Sequence, residues 1–187
     1  VFYRTHLQAA NTGFLDTFCE RLAAQGLNPL PIAVASLKEP ACLAQVEDWL
    51  DACDAALILN TTGFALSSPE RPALAGSVRA DVCVIGAGYV GLVTAACFAE
   101  MGNRVICVER DSARLAQLRN GHCPIHESGL DSLLRQHLPS GQLSFSASLR
   151  GAALHAQVIF IAVGTPQQED GSADLRHVLA VADELGR

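Results

Sequence analysis

Clustered lysine and arginine are missing from this chain of 187 residues, whose formal net charge is -6. Neutralising a phosphate backbone needs such clusters, so nucleic acid is excluded as a partner. Charge of either sign is scarce at 17%, while 50% of residues are hydrophobic, enough for one sizeable core or two small ones. Yet no apolar run reaches the roughly 18 residues that a membrane span requires. The first residues show no basic stretch leading into an apolar one, so no secretory signal is expected. Seven cysteines are present, at 19, 42, 53, 83, 97, 107 and 123, and none stands in C-x-x-C spacing. That argues against a zinc ribbon or a thioredoxin-type redox motif. Most sit in apolar stretches such as DVCVIG and VICVE, as buried thiols in a reducing cytoplasm would. Cys123 lies in a loop with no activating neighbour and reads as an ordinary, partly exposed thiol.

What is present is a βα rhythm, interrupted once. Val1–Arg4 is a short strand candidate. Over Thr12–Gln25, Phe14, Leu15, Phe18, Cys19 and Leu22 recur at helical spacing, and Gly26 stands where a C-terminal cap belongs. Leu30–Ala35 is β-compatible, and Ser36 with Glu39 has capping-box spacing ahead of Pro40. The helix that follows is expected to turn Leu43, Val46, Trp49 and Leu50 to one face. Ala55–Leu59 is a buried strand candidate running into the turn Asn60–Gly63. The order β-α-β-α-β implies parallel pairing. Then SSPERPALAGS, with its prolines and serines, breaks the pattern from Ser67 to Ser77. The expected division is therefore a segment 1–68, a linker 69–77 and a domain 78–187. Without a boundary there, one sheet would run through both halves.

The second series predicts strands at Asp81–Ile85, Arg104–Glu109, near Gln142–Phe145 and at Val158–Val163. Helices are predicted at Val90–Met101, Ser112–Asn120, Leu130–His137, Leu149–His155 and Ala173–Leu185. The fold class is α/β, a Rossmann-like parallel sheet in the C-terminal part. Val1 falls inside a strand pattern and Arg187 inside a helical one, so that sheet is expected to be truncated.

Gly86-Ala87-Gly88-Tyr89-Val90-Gly91 is a G-x-G-x-x-G. Alone it is a weak sign, but here it follows a buried strand and opens a helix. Gly86 permits a tight turn, Gly88 lets backbone approach a pyrophosphate, and Gly91 lets helix pack on strand. Free N–H groups at the helix start then face the phosphates. Glu109 ends the second strand 18 residues beyond Gly91, near the roughly 20-residue offset of a ribose-binding acid. A carboxylate there favours NAD over NADP, although Arg110 and Arg114 are able to accommodate a 2′-phosphate.

The run VCVIGAGYVGLVTAACFAEMGNRVICVERD, followed in order by PIHESGL and FIAVGTPQQEDGSADL, resembles the opening of UDP-glucose 6-dehydrogenases and related nucleotide-sugar 6-dehydrogenases. The likeness spans 78–187 and implies NAD as cofactor, with Gly86, Gly88, Tyr89, Val90, Gly91, Glu109, Arg114 and Thr165 in contact with it. Ser128 departs from the proline usual in that loop, a change expected to loosen the loop without touching the cofactor site. The resemblance also implies a cysteine nucleophile, a lysine and an asparagine in a later domain. No catalytic residue is therefore assigned, and a nucleotide sugar is a substrate only for the full-length enzyme. Residues 1–68, through FYRTHLQAANTGFLDTFCERLAAQGLNPLPIAVASLKEP and LILNTTGFALS, resemble a segment of the cobaltochelatase large subunit, a relative of the magnesium-chelatase large subunit. That implies a second reading, a fragment from cobalamin biosynthesis, and a third, a chimeric chain with no complete function. His6 and His126 each lack an i+4 partner or a carboxylate pair, so no metal site is assigned. Neither membrane nor nucleic acid is an expected partner, and nothing in the sequence sets an oligomeric state.

Overall fold

The computed structural model describes residues 2–3, 12–34, 40–53, 58–60, 80–169 and 173–186. The expected linker 69–77, the Ser36–Glu39 capping box and the turn after Asn60 lie outside the described residues. The chain forms two compact units, one of residues 1–62 with 164–187 and one of residues 63–163.

In the first unit, β1 (Phe2–Tyr3) pairs in parallel with β2 (Ala33–Val34). Between them α1 (Gly13–Ala24) buries Leu15, Phe18 and Leu22, the stripe its sequence spacing sets. Its end is a Schellman turn: Gly26 at φ +84° donates to Ala23 O (2.9 Å) and Leu27 donates to Leu22 O (3.2 Å). In α2 (Pro40–Cys53), Val46 is buried against Ile32 and Val34, with Leu50 half-buried beside them. Trp49, expected on that face, is 42% exposed and lies off it. The strand β3 (Ile58–Asn60) follows.

The second unit contains β4 (Asp81–Ile85), α3 (Tyr89–Glu100), β5 (Arg104–Val108), α4 (Ser112–Arg119), α5 (Leu130–His137), β6 (Leu143–Ser146), α6 (Leu149–Ala153) and β7 (Val158–Ile161). Its four strands run parallel in the order β7-β4-β5-β6. Successive strands step outward from β4 to β6, and the chain then returns to the other side of β4. The strand order thus reverses between β4 and β7, the switch point at which open α/β sheets form a crevice. This is the opening half of the Rossmann order. One face of the sheet buries Val84, Val105, Cys107 and Leu143 against Leu92 and Ala96 of α3, Leu118 of α4 and Leu134 of α5. Each buried leucine is worth about 1.5–3 kcal/mol relative to exposure. The buried His137 ring ties α5 to α3, lying between the Glu100 carboxylate (2.5 Å from Nε2) and Gln142 Oε1 (3.0 Å from Nδ1).

The segment 164–187 clusters with the first unit. There α7 (Arg176–Leu185) buries Val178, Val181 and Ala182, and Asp183 forms an ion pair with Arg21 of α1. This helix starts three residues later than the sequence pattern proposes. Ala173 forms an antiparallel bridge with Gln167, and the Asp174 carboxylate accepts the Arg176 N–H at 3.0 Å. Those bonds hold 173–175 out of the helix.

Candidate functional site

The strand β4 delivers the chain into a turn where each glycine has a different duty. Gly86 sits at φ +101°, and its N–H donates to Val108 O at 2.8 Å. A Cβ there would stand 2.7 Å from Ala162 O, just beyond β7. At Gly91 a Cβ would meet Gly86 O at 1.8 Å, so α3 lies directly against the turn. Gly88 is the opposite case, since a Cβ there meets nothing within 4 Å. It is the N-cap of α3 and has no side chain to cap the helix. The first intrahelical bond runs from Leu92 N–H to Gly88 O (2.9 Å), so the N–H groups of Tyr89, Val90 and Gly91 precede the ladder. Tyr89 and Val90 are exposed around that helix end. The result is an open, donor-rich helix start at the switch point, suited to an anion.

An acidic residue stands next to it. Because Val108 O holds Gly86, Glu109 leaves β5 beside the glycine turn, its own N–H donating to Ser146 O at 2.9 Å. Its side chain is only 12% exposed. Oε1 accepts the Asp111 N–H at 2.9 Å, and Oε2 lies 3.8 Å from Arg114 Nη1. Asp111 caps α4 by accepting the Arg114 N–H at 2.6 Å, which places Arg114 over the carboxylate. The structure therefore brings Gly86, Gly88, Tyr89, Val90 and Gly91 together with Glu109 and Arg114 at the carboxyl edge of one sheet. Thr165 is exposed, follows β7 in sequence, and falls in the other compact unit.

One residue at this edge escaped the sequence reading. The Tyr89 hydroxyl donates to Glu127 Oε2 at 2.6 Å across 38 residues of sequence. That hydrogen bond, reinforced by the carboxylate charge, raises the Tyr89 phenol above its ordinary pKa. Glu127 is the neighbour of Ser128, so the loop carrying that substitution is tied by hydrogen bond to the first residue of α3. Only the return of α5 across α3 joins the two residues, and no local spacing encodes that return.

The remaining candidates carry little chemistry. Burial pushes the Cys83 thiol up to about 12 and raises Cys107 further, so neither is a nucleophile. The other thiols are less buried than their apolar surroundings imply: Cys19, Cys42, Cys97 and Cys123 are half-buried and Cys53 is exposed. His126 is exposed, His6 lies outside the described residues, and no group of three potential metal ligands occurs among the described residues. No helix among them is long and apolar enough to cross a membrane. A shallow depression at the amino edge of the sheet, beside Asp81 and Arg104, is closed as an anion site. There the guanidinium donates to the carboxylate at 2.7 and 2.9 Å.

Comparison with known proteins agrees with this geometry. Residues 80–187 match the UDP-glucose/GDP-mannose dehydrogenase family, NAD binding domain, and residues 1–94 match CobN/Magnesium Chelatase. A UDP-glucose 6-dehydrogenase from Pseudomonas aeruginosa is 67% identical over 105 residues, covering 56% of this chain and 23% of that protein. Aerobic cobaltochelatase subunit CobN from the same organism is 74% identical over 87 residues, 46% of this chain and 7% of CobN. Among solved structures, a UDP-glucose dehydrogenase from the archaeon Pyrobaculum islandicum superposes with a TM-score of 0.57 at 45% identity, over 60% of this chain and 26% of that one. The chain thus spans about a quarter of the dehydrogenases' length and a small part of CobN.

Proposed function

The chain belongs to the UDP-glucose/GDP-mannose dehydrogenase family through residues 80–187 and to the CobN/magnesium chelatase family through residues 1–94, and from that premise we propose that it works as the cofactor-holding part of a nucleotide-sugar dehydrogenase. The observation that carries this is the open side of Gly88 at the switch point, with Glu109 at its flank. On this reading the pyrophosphate lies on the free N–H groups of Tyr89, Val90 and Gly91. Glu109 accepts from the adenosine ribose, and Arg114 holds the Glu109 carboxylate in place. Thr165 is assigned to the dinucleotide by resemblance alone. NAD, when bound, supplies a hydride acceptor. The residues of this chain bind and orient it, and none is assigned to alcohol oxidation.

For a dehydrogenase served by this part, UDP-glucose is the proposed substrate, supported by 67% identity to a UDP-glucose 6-dehydrogenase. The cysteine, lysine and asparagine that the resemblance implies lie in a later domain, so this chain alone should not turn over. Incubated with NAD and UDP-glucose, it should form no more NADH than a protein-free blank. Formation of NADH above that blank would show that the chain holds a complete catalytic centre. The boundaries 1–68, 69–77 and 78–187 are proposed as the division between the two family segments, and the free thiols favour a cytoplasmic setting.

A second reading has its own observation, the 74% identity to CobN over 87 residues. On it, the N-terminal segment is a piece of a cobaltochelatase large subunit, and the chain joins parts of two enzymes.

A further inference from the structure

We infer that Glu127 is a positioning residue of the dinucleotide site, acting through Tyr89; the inference rests on the NAD reading above. Tyr89 is the first residue of α3, directly after Gly88, and the residue is 55% exposed. A tyrosine so placed and unheld would swing over the open side of Gly88, where the pyrophosphate is proposed to lie. The bond to Glu127 prevents this. At 2.6 Å it has the length of a charge-assisted O–H···O⁻ contact.

Glu127 is itself held by structure. Cys123 and Ile125, earlier in the same loop, pack against the core shared by α3 and α5. Glu127 O accepts the Leu130 N–H at 3.2 Å, and Gly129 follows at φ +82° as the N-cap of α5. Leu130 and Leu134 of α5 are buried in the same core as Leu92 and Ala95 of α3. The backbone that carries Glu127 is thus anchored to the helix whose first residue the carboxylate holds. Its role is preorganisation: a phenol already fixed in one place need not be ordered when the ligand binds. Ordering one such side chain corresponds to about 2- to 10-fold in affinity.

The test is NAD binding by the full chain, measured by calorimetry at one salt concentration. Glu127→Ala and Tyr89→Phe should each weaken NAD about 2- to 10-fold, and the double variant should lose no more than either single one. Glu127→Gln keeps an acceptor and removes a negative charge near the phosphates, so it should bind NAD at least as tightly as the parent. An ultraviolet titration of the tyrosines, with Tyr89→Phe assigning the transition between Tyr3 and Tyr89, should show the Tyr89 phenol returning toward its ordinary range in Glu127→Ala. Unchanged NAD affinity in Glu127→Ala, or losses that simply add in the double variant, would overturn the inference. Absence of saturable NAD binding by the parent chain would overturn the binding reading itself, and this inference with it.

Discussion

Gly88 and Gly91 stand three residues apart in one turn and are required for opposite reasons. Gly91 is a packing glycine, since a methyl group there would overlap Gly86 O, which is backbone and has nowhere to go. Gly91→Ala should cost stability at the upper end of the roughly 1–3 kcal/mol typical of overpacking. Gly88 faces open space, so Gly88→Ala should change stability by less than about 1 kcal/mol. The same methyl group would occupy the approach of the pyrophosphate and should weaken NAD by about 10-fold or more. Thermal melts and NAD titrations of the two variants check the contrast; a Gly88→Ala chain that binds like the parent would remove the turn from the site. Glu109 has the other assigned role. A hydrogen bond to a charged group is worth about 1.5–3 kcal/mol, so Glu109→Ala should weaken NAD about 10- to 100-fold. NADP should change little or improve, because Arg110 and Arg114 remain while like-charge repulsion is gone. An unaltered NAD/NADP ratio in Glu109→Ala would mean that the carboxylate serves only Asp111 and Arg114. The placement of all three residues at the carboxyl edge of the sheet was legible in the sequence because each position follows from a local pattern. Glu127 was not, because its partner is fixed by tertiary packing.

Elements were legible where periodicity and stop signals agreed. The stripe of Leu15, Phe18 and Leu22, closed by Gly26, gave α1 almost to its ends, and α5 falls on Leu130–His137 as its pattern proposes. Failures came where a polar side chain competed with the backbone or a large apolar one lay off the face. Trp49 sits outside the buried stripe of α2, a fact that helical spacing alone does not decide. At the start of α7 the sequence continues a helical pattern, yet the Gln167–Ala173 bridge and the Asp174 carboxylate hold 173–175 out of the helix. The buried Asp174 carboxylate accepts from the Arg176 guanidinium at 2.6 and 3.0 Å, and these bonds hold its pKa down at about 2. A depressed carboxylate pKa stabilises the fold above the ordinary aspartate range and loses that contribution as pH falls toward about 2. Arg176 is 87% exposed, so the effect should be modest and screened by salt. The stability gap between the parent and Asp174→Asn should be present near pH 5 and close by about pH 2. A gap constant across that range would show that the pair contributes through packing rather than charge.

At the scale of the whole molecule, family membership and compactness divide the chain in different ways. The family matches overlap at residues 80–94, which hold β4 and the glycine turn. The compact units instead group 164–187 with residues 1–62. Sequence periodicity shows that Val178, Val181 and Ala182 form an apolar stripe but not what covers it, so this grouping was not legible beforehand. The binding turn and Glu109 both lie within residues 63–163, so the proposed NAD site depends mainly on one unit. The most direct test is therefore a pair of calorimetric titrations of the full 187-residue chain, with NAD and with NADP, at one fixed salt concentration. Saturable binding of one NAD per chain, with NADP weaker by about 10-fold or more, is the expected result. No saturable NAD binding, or NADP binding as tightly as NAD, would contradict the assignment of the glycine turn and Glu109 as an NAD site.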